Sequence, residues 1–275
     1  MNIRHSAIIG FAVLLSLISC KESGMDSVRS GTKRLDAVSQ DRWEALARKR
    51  IFFGHKSVGQ NIVQGLREVL SGRPAIKLEI KETLDPKDFA EPVFAHSPIG
   101  TNRDPASKIR RFREILDGGV GQAADIAFFK FCFIDFDHET DIASVFKSYV
   151  ELVDDLGTRF PDLKVVTFTV PLLSKPVGIM TRLKKLLGRL PWYEEENVKR
   201  NLYNDMLRAR FKDSLFDLAA IESRIDATKK ATFREKGRDY ELLYRPYTDD
   251  GGHLNATGRK IVALELLSFL ATLED

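Results

Sequence analysis

The nearly all-apolar run Ile126–Ile134 limits the fold of this chain more than any other stretch of its sequence. Lys130 is the one charged residue of the run, and its apolar residues do not alternate with polar ones. A continuous apolar run of this length is typical of a central strand in a parallel sheet, where both faces of the strand are buried. We therefore predict an α/β fold with this segment in the middle of the sheet.

Other apolar runs alternate with amphipathic segments along most of the chain. The predicted strands are Arg50–Phe53, Ile76–Ile80, Ile126–Ile134, Leu163–Val170 and Ser214–Leu218, and the predicted helices that follow them are Val58–Leu70, Pro105–Leu116, Ile142–Phe160, Glu194–Phe211 and Leu254–Leu273. This alternation predicts one three-layer α/β/α sandwich around a five-stranded, mainly parallel sheet. The prolines and small residues of Asp85–Asp104 predict a loop, and the charged segment Arg224–Tyr247 shows no period.

The first nineteen residues, Met1–Ser19, are predicted to be a signal peptide. Arg4 precedes an apolar run, Ala7–Ile18, that is too short to span a membrane comfortably. The run ends in Leu-Ile-Ser-Cys20, which resembles the bacterial lipobox, whose cysteine is lipidated and becomes the mature N-terminus. That resemblance implies a lipid anchor at Cys20, on the outer membrane or cell surface and outside the cytoplasm. An uncleaved anchor or an ordinary signal peptide is the alternative.

Two further parts of the chain follow the signal peptide. Residues 20–40 are polar and carry no sustained period, so they predict a flexible tether after the lipidated cysteine. Residues 41–275 contain every predicted strand and helix, with no internal repeat, and predict one domain.

The charge and cysteine content exclude several classes of function. Lys and Arg number 43 against 39 Asp and Glu, and this mixed surface with a formal net charge of +4 does not indicate nucleic-acid binding. With Cys20 lipidated, Cys132 is the only other cysteine, so no intramolecular disulfide is predicted. His138 lies in the acidic stretch Asp135–Asp141 but without ordered ligand spacing, so we predict no metal and no cofactor. The oligomeric state stays open.

Two separated stretches carry the candidate chemistry. Ser57 lies where the first strand turns into a helix, and Asp250 precedes His253 by three residues in a glycine-rich turn before the last helix. A carboxylate beside an imidazole fixes its tautomer, and the imidazole can then remove the proton of a serine that attacks a substrate. Both stretches are expected at the carboxyl edge of the sheet, where α/β proteins bind ligands. Asp249 is the alternative partner of His253.

The motif Asp250-Gly-Gly-His253-Leu-Asn-Ala-Thr-Gly258 resembles the last block of the SGNH, or GDSL-like, hydrolase superfamily, which is Asp-x-x-His followed by a helix. Ser57 matches the nucleophile block in its position after the first strand, and Gly100 matches the glycine of the second block. The resemblance covers the domain in the order of its elements. It implies a flavodoxin-like fold and attack of Ser57 on an ester, with His253 and Asp250 completing a triad.

Two blocks depart from the superfamily pattern. Gly54-His55-Lys56-Ser57 replaces Gly-Asp-Ser, and Ile134 takes the apparent place of the third-block asparagine that donates to the oxyanion. The loss of one such donor costs roughly 3–4 kcal/mol in the transition state unless another group replaces it. The candidate oxyanion donors in this chain are the backbone N–H groups of Ser57 and Gly100 and the side chain of Asn102, which we prefer to Asn61.

The resulting functional prediction is a serine esterase or deacylase. Its substrate is a small-molecule or carbohydrate ester, with the O-acyl groups of envelope carbohydrate as one candidate. An O-acyltransferase with the same triad and a non-catalytic, surface-anchored binding protein are the alternatives. The basic, leucine-bearing insert Leu172–Trp192 predicts a lid, a membrane-facing patch or an ordinary surface helix. Within the apolar run, Lys130 is predicted to pair with Asp135, and His55 and Lys56 either contact substrate or support the turn.

Overall fold

The computed structural model describes residues 27–175 and 192–273 of the chain. The strands are β1 (Arg50–His55), β2 (Ile80–Glu82), β3 (Val93–Pro98), β4 (Ile126–Phe129), β5 (Lys164–Phe168), β6 (Leu215–Phe216), β7 (Thr232–Glu235) and β8 (Arg238–Glu241). The helices are α1 (27–36), α2 (Gln40–Leu46), α3 (Ser57–Ser71), α4 (Pro105–Ile115), α5 (Ile142–Arg159), α6 (Trp192–Arg210), α7 (Leu218–Ser223) and α8 (Ala256–Thr272).

Six strands form one parallel sheet in the order β2-β3-β1-β4-β5-β6. Without the short edge strand β2, this is the flavodoxin-like order 2-1-3-4-5. The predicted fold class is therefore confirmed, with six parallel strands where the sequence predicts five. The chain places β3 on one side of β1 and then crosses to place β4 on the other side. Ligands of such sheets bind at the carboxyl edge of the strands where the order reverses, which here lies beside β1 and β4.

Two apolar cores lie on opposite faces of the sheet because successive strand residues point to opposite sides. Phe53 and Phe128 face the layer that contains α2, α3, α7 and α8, whereas Phe52 and Phe129 face the layer of α4, α5 and α6. The central strand is buried on both faces, as its apolar run predicts. Both layers hold the strand ends in place, so residues just beyond β1 and β4 have well-defined positions.

The prediction of a loop over Asp85–Asp104 is wrong for Val93–Pro98, which forms β3 and pairs with β1 over six residues. The reason is the buried His96, whose polarity interrupts the apolar pattern of the strand but whose ring nitrogens find partners inside the protein. The central strand also ends earlier than predicted: β4 stops at Phe129, and the residues after it line the edge of the sheet.

Two other segments differ from their predictions. Residues 27–36 form α1 within the segment predicted as a tether, and Leu35 is fully buried in the core of the α3 and α8 layer. The prediction of a flexible tether over residues 20–40 is therefore wrong for residues 27–36, because the packed domain begins before residue 41. The charged segment Arg224–Tyr247 contains the antiparallel hairpin of β7 and β8, in which Phe233 stacks on Tyr240.

Several predictions concern residues that lie outside the described ranges. Met1–Ser19, Cys20 and most of the insert Leu172–Trp192 are among them. Within residues 27–175 and 192–273, no helix combines the length and the apolar character that crossing a membrane requires.

Candidate active site

The candidate nucleophile lies at a sharp turn from strand to helix. β1 ends at His55, Lys56 is extended, and Ser57 is the exposed first residue of α3. The first N–H groups of a helix have no partner within it, so they can donate to an anion beside Ser57. Gly59 allows this tight turn, since a Cβ at that position would lie 2.2 Å from Cβ of His55.

The candidate acid–base pair lies in the turn before α8. Nδ1 of His253 is 2.6 Å from Oδ2 of Asp250, and Oδ1 of the same carboxylate accepts the N–H groups of Gly252 at 2.9 Å and His253 at 2.8 Å. The hydroxyl of Thr248 donates to Oδ1 at 3.2 Å. A carboxylate accepts a hydrogen bond from Nδ1 only if that nitrogen carries the ring proton. Nε2 is therefore the ring atom that can receive a proton.

The electrostatics of the turn keep Asp250 ionised. Burial by itself would raise the pKa of this carboxyl, but hydrogen bonds from the N–H groups of Gly252 and His253 and from the imidazole outweigh it and lower the pKa. Asp249, the alternative partner, instead accepts a hydrogen bond from Asn255 at 3.2 Å and does not contact the imidazole. The geometry therefore pairs His253 with Asp250.

Asn61 joins the two stretches. Its side-chain Oδ1 accepts the N–H of Leu254, the residue after His253, at 3.2 Å. Asn61 lies one helical turn after Ser57, so both side chains are on the same face of α3. Among the described residues, no hydrogen bond connects Ser57 itself to His253. Catalytic hydrogen bonds are often long before substrate binds, so the missing bond does not exclude a catalytic pair.

The second stretch of candidate oxyanion donors follows β3. Because His55 of β1 is in register with Pro98 of β3, Ser57 and Gly100 both lie two residues beyond the paired ends of adjacent strands. Gly100 has a φ of +59°, and a Cβ there would lie 2.6 Å from Cγ of Lys108 on α4, so only glycine fits. Asn102 is exposed and accepts from Lys108 through Oδ1 at 3.5 Å, which leaves its amide nitrogen as the end that can donate.

Asp135 holds the loop that carries Gly100 and Asn102 against the end of β4. Its fully buried carboxylate pairs with the ammonium of Lys108 and accepts the N–H groups of Arg103 at 2.9 Å and Cys132 at 2.7 Å. The predicted pairing of Asp135 with Lys130 is therefore wrong, because α4 delivers a closer cation. Arg103 adopts a left-handed backbone with φ of 66°, which the hydrogen bond from its N–H to Asp135 helps to maintain.

Lys130 occupies a separate buried position at the same edge of the sheet. Its ammonium donates to the carbonyl of Phe131 at 3.3 Å and lies 3.8 Å from Sγ of Cys132. Burial lowers the pKa of Lys130. Burial also raises the pKa of the nearby Glu222 to about 8, although its Oε2 accepts the N–H of Leu172 at 3.0 Å. Both groups are desolvated beneath the rim, and neither reaches the surface.

A cleft of about 390 Å³ opens beside the acid–base pair. Phe133 and Leu173 supply apolar walls, and Gly252 packs against both side chains. The ring of Phe133 meets that of His253 edge to face, with 5.6 Å between centroids. A larger groove of about 680 Å³ lies between α2, α7 and α8, away from Ser57 and His253. In residues 27–175 and 192–273, no group of three or more His, Cys, Asp or Glu side chains is arranged to hold a metal ion.

Comparison with known proteins yields similarity at the level of structure. No family model matches the chain, and no curated protein matches its sequence. A structure provisionally described as a GDSL-like lipase from Parabacteroides merdae is 11% identical, with a TM-score of 0.49 over 82% of this chain and 98% of that one. One provisionally described as a platelet activating factor from Streptococcus pneumonia is 12% identical, with a TM-score of 0.46 over 97% and 99%.

A third similar structure is the periplasmic domain of a lipopolysaccharide acetyltransferase from Salmonella ser. Paratyphi A. It is 11% identical, with a TM-score of 0.44 over 78% of this chain and 80% of that one. At these identities and TM-scores the comparisons assign no role to any residue. The strand order shows the flavodoxin-like α/β/α fold that the sequence motif implies, and the chemistry has to be argued from the site.

The structure brings most of the predicted site residues to one edge of the sheet. Ser57, Gly100, Asn102, Asp250 and His253 all follow strands or precede helices on this rim, whereas Cys20 lies outside the described residues. Sequence reasoning missed the pairing of Lys108 with Asp135, because nothing in an amphipathic helix marks a lysine that points inward. It also missed the structural task of Asn61, although that residue stands one turn from the candidate nucleophile.

Proposed function

We propose that this protein is a serine esterase or deacylase with Ser57 as nucleophile, His253 as base and Asp250 as orienting acid. The observation that carries the proposal is the 2.6 Å contact between Nδ1 of His253 and Oδ2 of Asp250, on a loop that Asn61 ties to the first turn of α3. That turn begins with Ser57 at the edge of the sheet where flavodoxin-like folds bind ligands.

The reaction begins with attack of Oγ of Ser57 on the carbonyl carbon of the ester. As the new C–O bond forms, Nε2 of His253 takes the hydroxyl proton, and Asp250 stabilises the resulting imidazolium. Collapse of the tetrahedral intermediate breaks the bond to the leaving alcohol, which receives the proton from His253. Water then attacks the acyl-enzyme with His253 as base, and the acid product leaves with Ser57 restored.

The developing oxyanion needs donors that are already oriented. We assign this task to the backbone N–H groups of Ser57 and Gly100 and to the amide nitrogen of Asn102. The ammonium of Lys108 and the carboxylate of Asp135 support the loop that carries the last two. Asn102 thus substitutes for the third-block asparagine, whose apparent place is taken by Ile134.

The substrate and the location are part of the same proposal. The lipobox-like Leu-Ile-Ser-Cys20 supports lipidation of Cys20 and a place in the cell envelope. An enzyme held there meets carbohydrate that carries O-acyl groups, so an O-acylated envelope sugar is the substrate we propose. Incorporation of an alkyne-tagged palmitate in wild-type cells, and its loss in Cys20→Ala, tests the anchor separately from the chemistry.

Labelling with a fluorophosphonate probe tests the proposed nucleophile. We expect the wild-type protein to be labelled and Ser57→Ala and His253→Asn to lose labelling. Ser71→Ala is the matched control for the first change, since Ser71 is an exposed serine at the other end of α3. His138→Asn is the matched control for the second, because His138 is an exposed histidine whose ring lies beside Glu139.

Labelling of Ser57→Ala as strong as that of wild type would overturn the assignment of the nucleophile. Absence of labelling in wild type by probes of several sizes would favour a surface-anchored binding protein instead. Product analysis with and without an acceptor sugar separates hydrolysis, in which free acid accumulates, from transfer of the acyl group to the acceptor.

A further inference from the structure

Three side chains form a chain of hydrogen bonds behind the candidate nucleophile. His55 at the end of β1 and His96 on β3 lie on the same face of the sheet and are both buried. Nε2 of His55 is 3.0 Å from Nδ1 of His96, and Nε2 of His96 is 3.3 Å from Nη2 of Arg67 on α3. At the other end, Nδ1 of His55 is 3.3 Å from the carbonyl oxygen of Lys56.

Only one arrangement of protons satisfies every link of this chain when both imidazoles are neutral. A guanidinium donates and cannot accept, so Nε2 of His96 must accept from Arg67 and Nδ1 must carry the proton. Nδ1–H of His96 then donates to Nε2 of His55, whose own Nδ1–H donates to the carbonyl of Lys56. Both imidazoles therefore adopt the Nδ1–H tautomer.

The charged groups around the pair keep both imidazoles neutral. Burial and the charges of the neighbouring His96, Lys130 and Lys56 together lower the pKa of His55 to about 3, although the hydrogen bond to the carbonyl of Lys56 opposes them. For His96, burial and the charge of Arg67 lower the pKa, and Glu82 on β2 opposes them. These groups lie on β2, on α3 and its N-cap, and just beyond β4, and positive charges dominate among them.

The chain ends on the turn that carries Ser57. The carbonyl of Lys56 accepts from His55 and also accepts the N–H of Gln60, the first hydrogen bond of α3, at 3.2 Å. Lys56 is the N-cap residue, and its side chain does not cap the helix. The ring of His55 cannot withdraw toward α3, because Gly59 already packs against it. The orientation of the peptide between Lys56 and Ser57 therefore depends on His55.

We propose that His55, His96 and Arg67 form a positioning relay that holds the Lys56–Ser57 peptide in the orientation that Ser57 needs for attack. The relay links the sheet, through His96, and the far end of α3, through Arg67, to the residue before the nucleophile. His55 and His96 are positioning residues and do not contact substrate. The inference rests on the proposed function for its kinetic consequence, whereas the hydrogen-bonded chain itself does not.

The protonation of the relay is measured without reference to activity. In protein labelled with ¹⁵N-histidine, long-range ¹H–¹⁵N spectra distinguish the two neutral tautomers and the imidazolium. We expect two imidazoles, assigned by His55→Gln and His96→Asn, to be neutral Nδ1–H tautomers near neutral pH, and that of His55 to remain so at about pH 5, below the pKa of about 6.5 of a free histidine. An Nε2–H tautomer at either residue, or titration of either near that value, would overturn the relay.

A pair of substitutions at His96 tests the positioning itself. Asn places an amide nitrogen where Nδ1 stood and keeps the donor to His55, whereas Leu removes it. With p-nitrophenyl acetate as substrate, we expect His96→Leu to lower kcat by about tenfold or more with KM nearly unchanged, and His96→Asn to retain most of kcat. The backbone amide resonance of Ser57 should shift in the Leu variant and stay near its wild-type position in the Asn variant.

Arg67 gives a test that does not disturb the core, because its side chain is exposed. Arg67→Met removes both the donor and the charge, so the pKa of His96 should rise while burial still holds it below its usual range, and the acid limb of log kcat/KM should become steeper than in wild type. Gln64→Met, an exposed change on the same helix, should leave the wild-type slope. The positioning role would be refuted if folded His96→Leu and Arg67→Met kept the wild-type kcat, Ser57 amide shift and slope of the acid limb. If wild type were inactive but showed the expected tautomers, only the proposed esterase activity would be refuted.

Discussion

Replacement of Asp250 by asparagine separates the role of its charge from its role in the turn. Asparagine keeps an oxygen where Oδ1 accepts the N–H groups of Gly252 and His253, so the turn before α8 is preserved. Its amide nitrogen, however, takes the place of Oδ2 and faces Nδ1 of His253. The imidazole then accepts at Nδ1 and carries its proton on Nε2, the atom that should receive the proton of Ser57.

Two contributions set the size of the effect. Opposite charges about 4 Å apart attract by about 1 kcal/mol in water and about 4 kcal/mol at an effective dielectric constant of 20. Because the side chains of Asp250 and His253 are 57% and 42% exposed, we take about 2 kcal/mol for the imidazolium of the transition state. Restoring the competent tautomer sacrifices one hydrogen bond, about 2 kcal/mol more. The total of about 4 kcal/mol corresponds to about a thousandfold in kcat.

The assay is the steady-state hydrolysis of p-nitrophenyl acetate by Asp250→Asn, with Asp249→Asn as the matched control. Asp249 is the adjacent exposed aspartate, and among the described residues its carboxylate bonds only to Asn255, so the control should keep nearly full kcat. Circular dichroism would check that both variants fold. A loss of less than about tenfold in Asp250→Asn, or an equal loss in the control, would refute the assignment of Asp250 as the orienting acid.

Three further predictions concern the support of the site. Gly100→Ala should lower kcat and destabilise the fold by more than about 2 kcal/mol in urea unfolding, because its Cβ would meet Lys108. Gly237 also has a positive φ, of +83°, but open space around it, so Gly237→Ala should lower the free energy of unfolding by only about 1 kcal/mol. Lys108→Met should lower the free energy of unfolding by about 3–5 kcal/mol, since it leaves the buried carboxylate of Asp135 unpaired. Recovery of stability in the double variant that also carries Asp135→Asn checks this cause. Burial raises the pKa of Glu222 to about 8. Its contribution to stability is therefore complete below the unfolded pKa of about 4.3, and from there to about pH 8 the free energy of unfolding falls by about 1.4 kcal/mol per pH unit. Glu222→Gln should remove that slope from unfolding free energies measured between these pH values, and an unchanged slope would contradict the raised pKa.

The agreement between sequence and structure is greatest where a local pattern decides the outcome. The apolar run from Ile126 marks the central strand because burial on both faces excludes polar residues from it. Asn255 caps α8 by accepting from the N–H groups of Thr257 and Gly258, which follow it by two and three residues. Asp250 and His253 are three residues apart in one turn, so their contact is local as well.

The disagreements arise where a residue is explained by a distant partner. β3 was not predicted because His96 is polar, and only the neighbouring strand and helix supply the partners that allow it to be buried. Lys130 looked like the partner of Asp135 because the two are close in sequence. The fold instead brings Lys108 from α4 to that carboxylate and leaves Lys130 with the carbonyl of Phe131.

The sequence by itself determined most of the alternation of strands and helices, the turn that pairs Asp250 with His253 and the position of Ser57 at a helix N-terminus, since each depends on residues close together in the chain. Tertiary structure alone decided that Asn61, on the helix that begins at Ser57, bonds to the turn of His253, that Lys108 balances Asp135, and that His55 bonds to His96 behind the turn of Ser57. The physical reason is that a buried polar group needs a partner, and its partner is chosen by the packing of whole strands and helices.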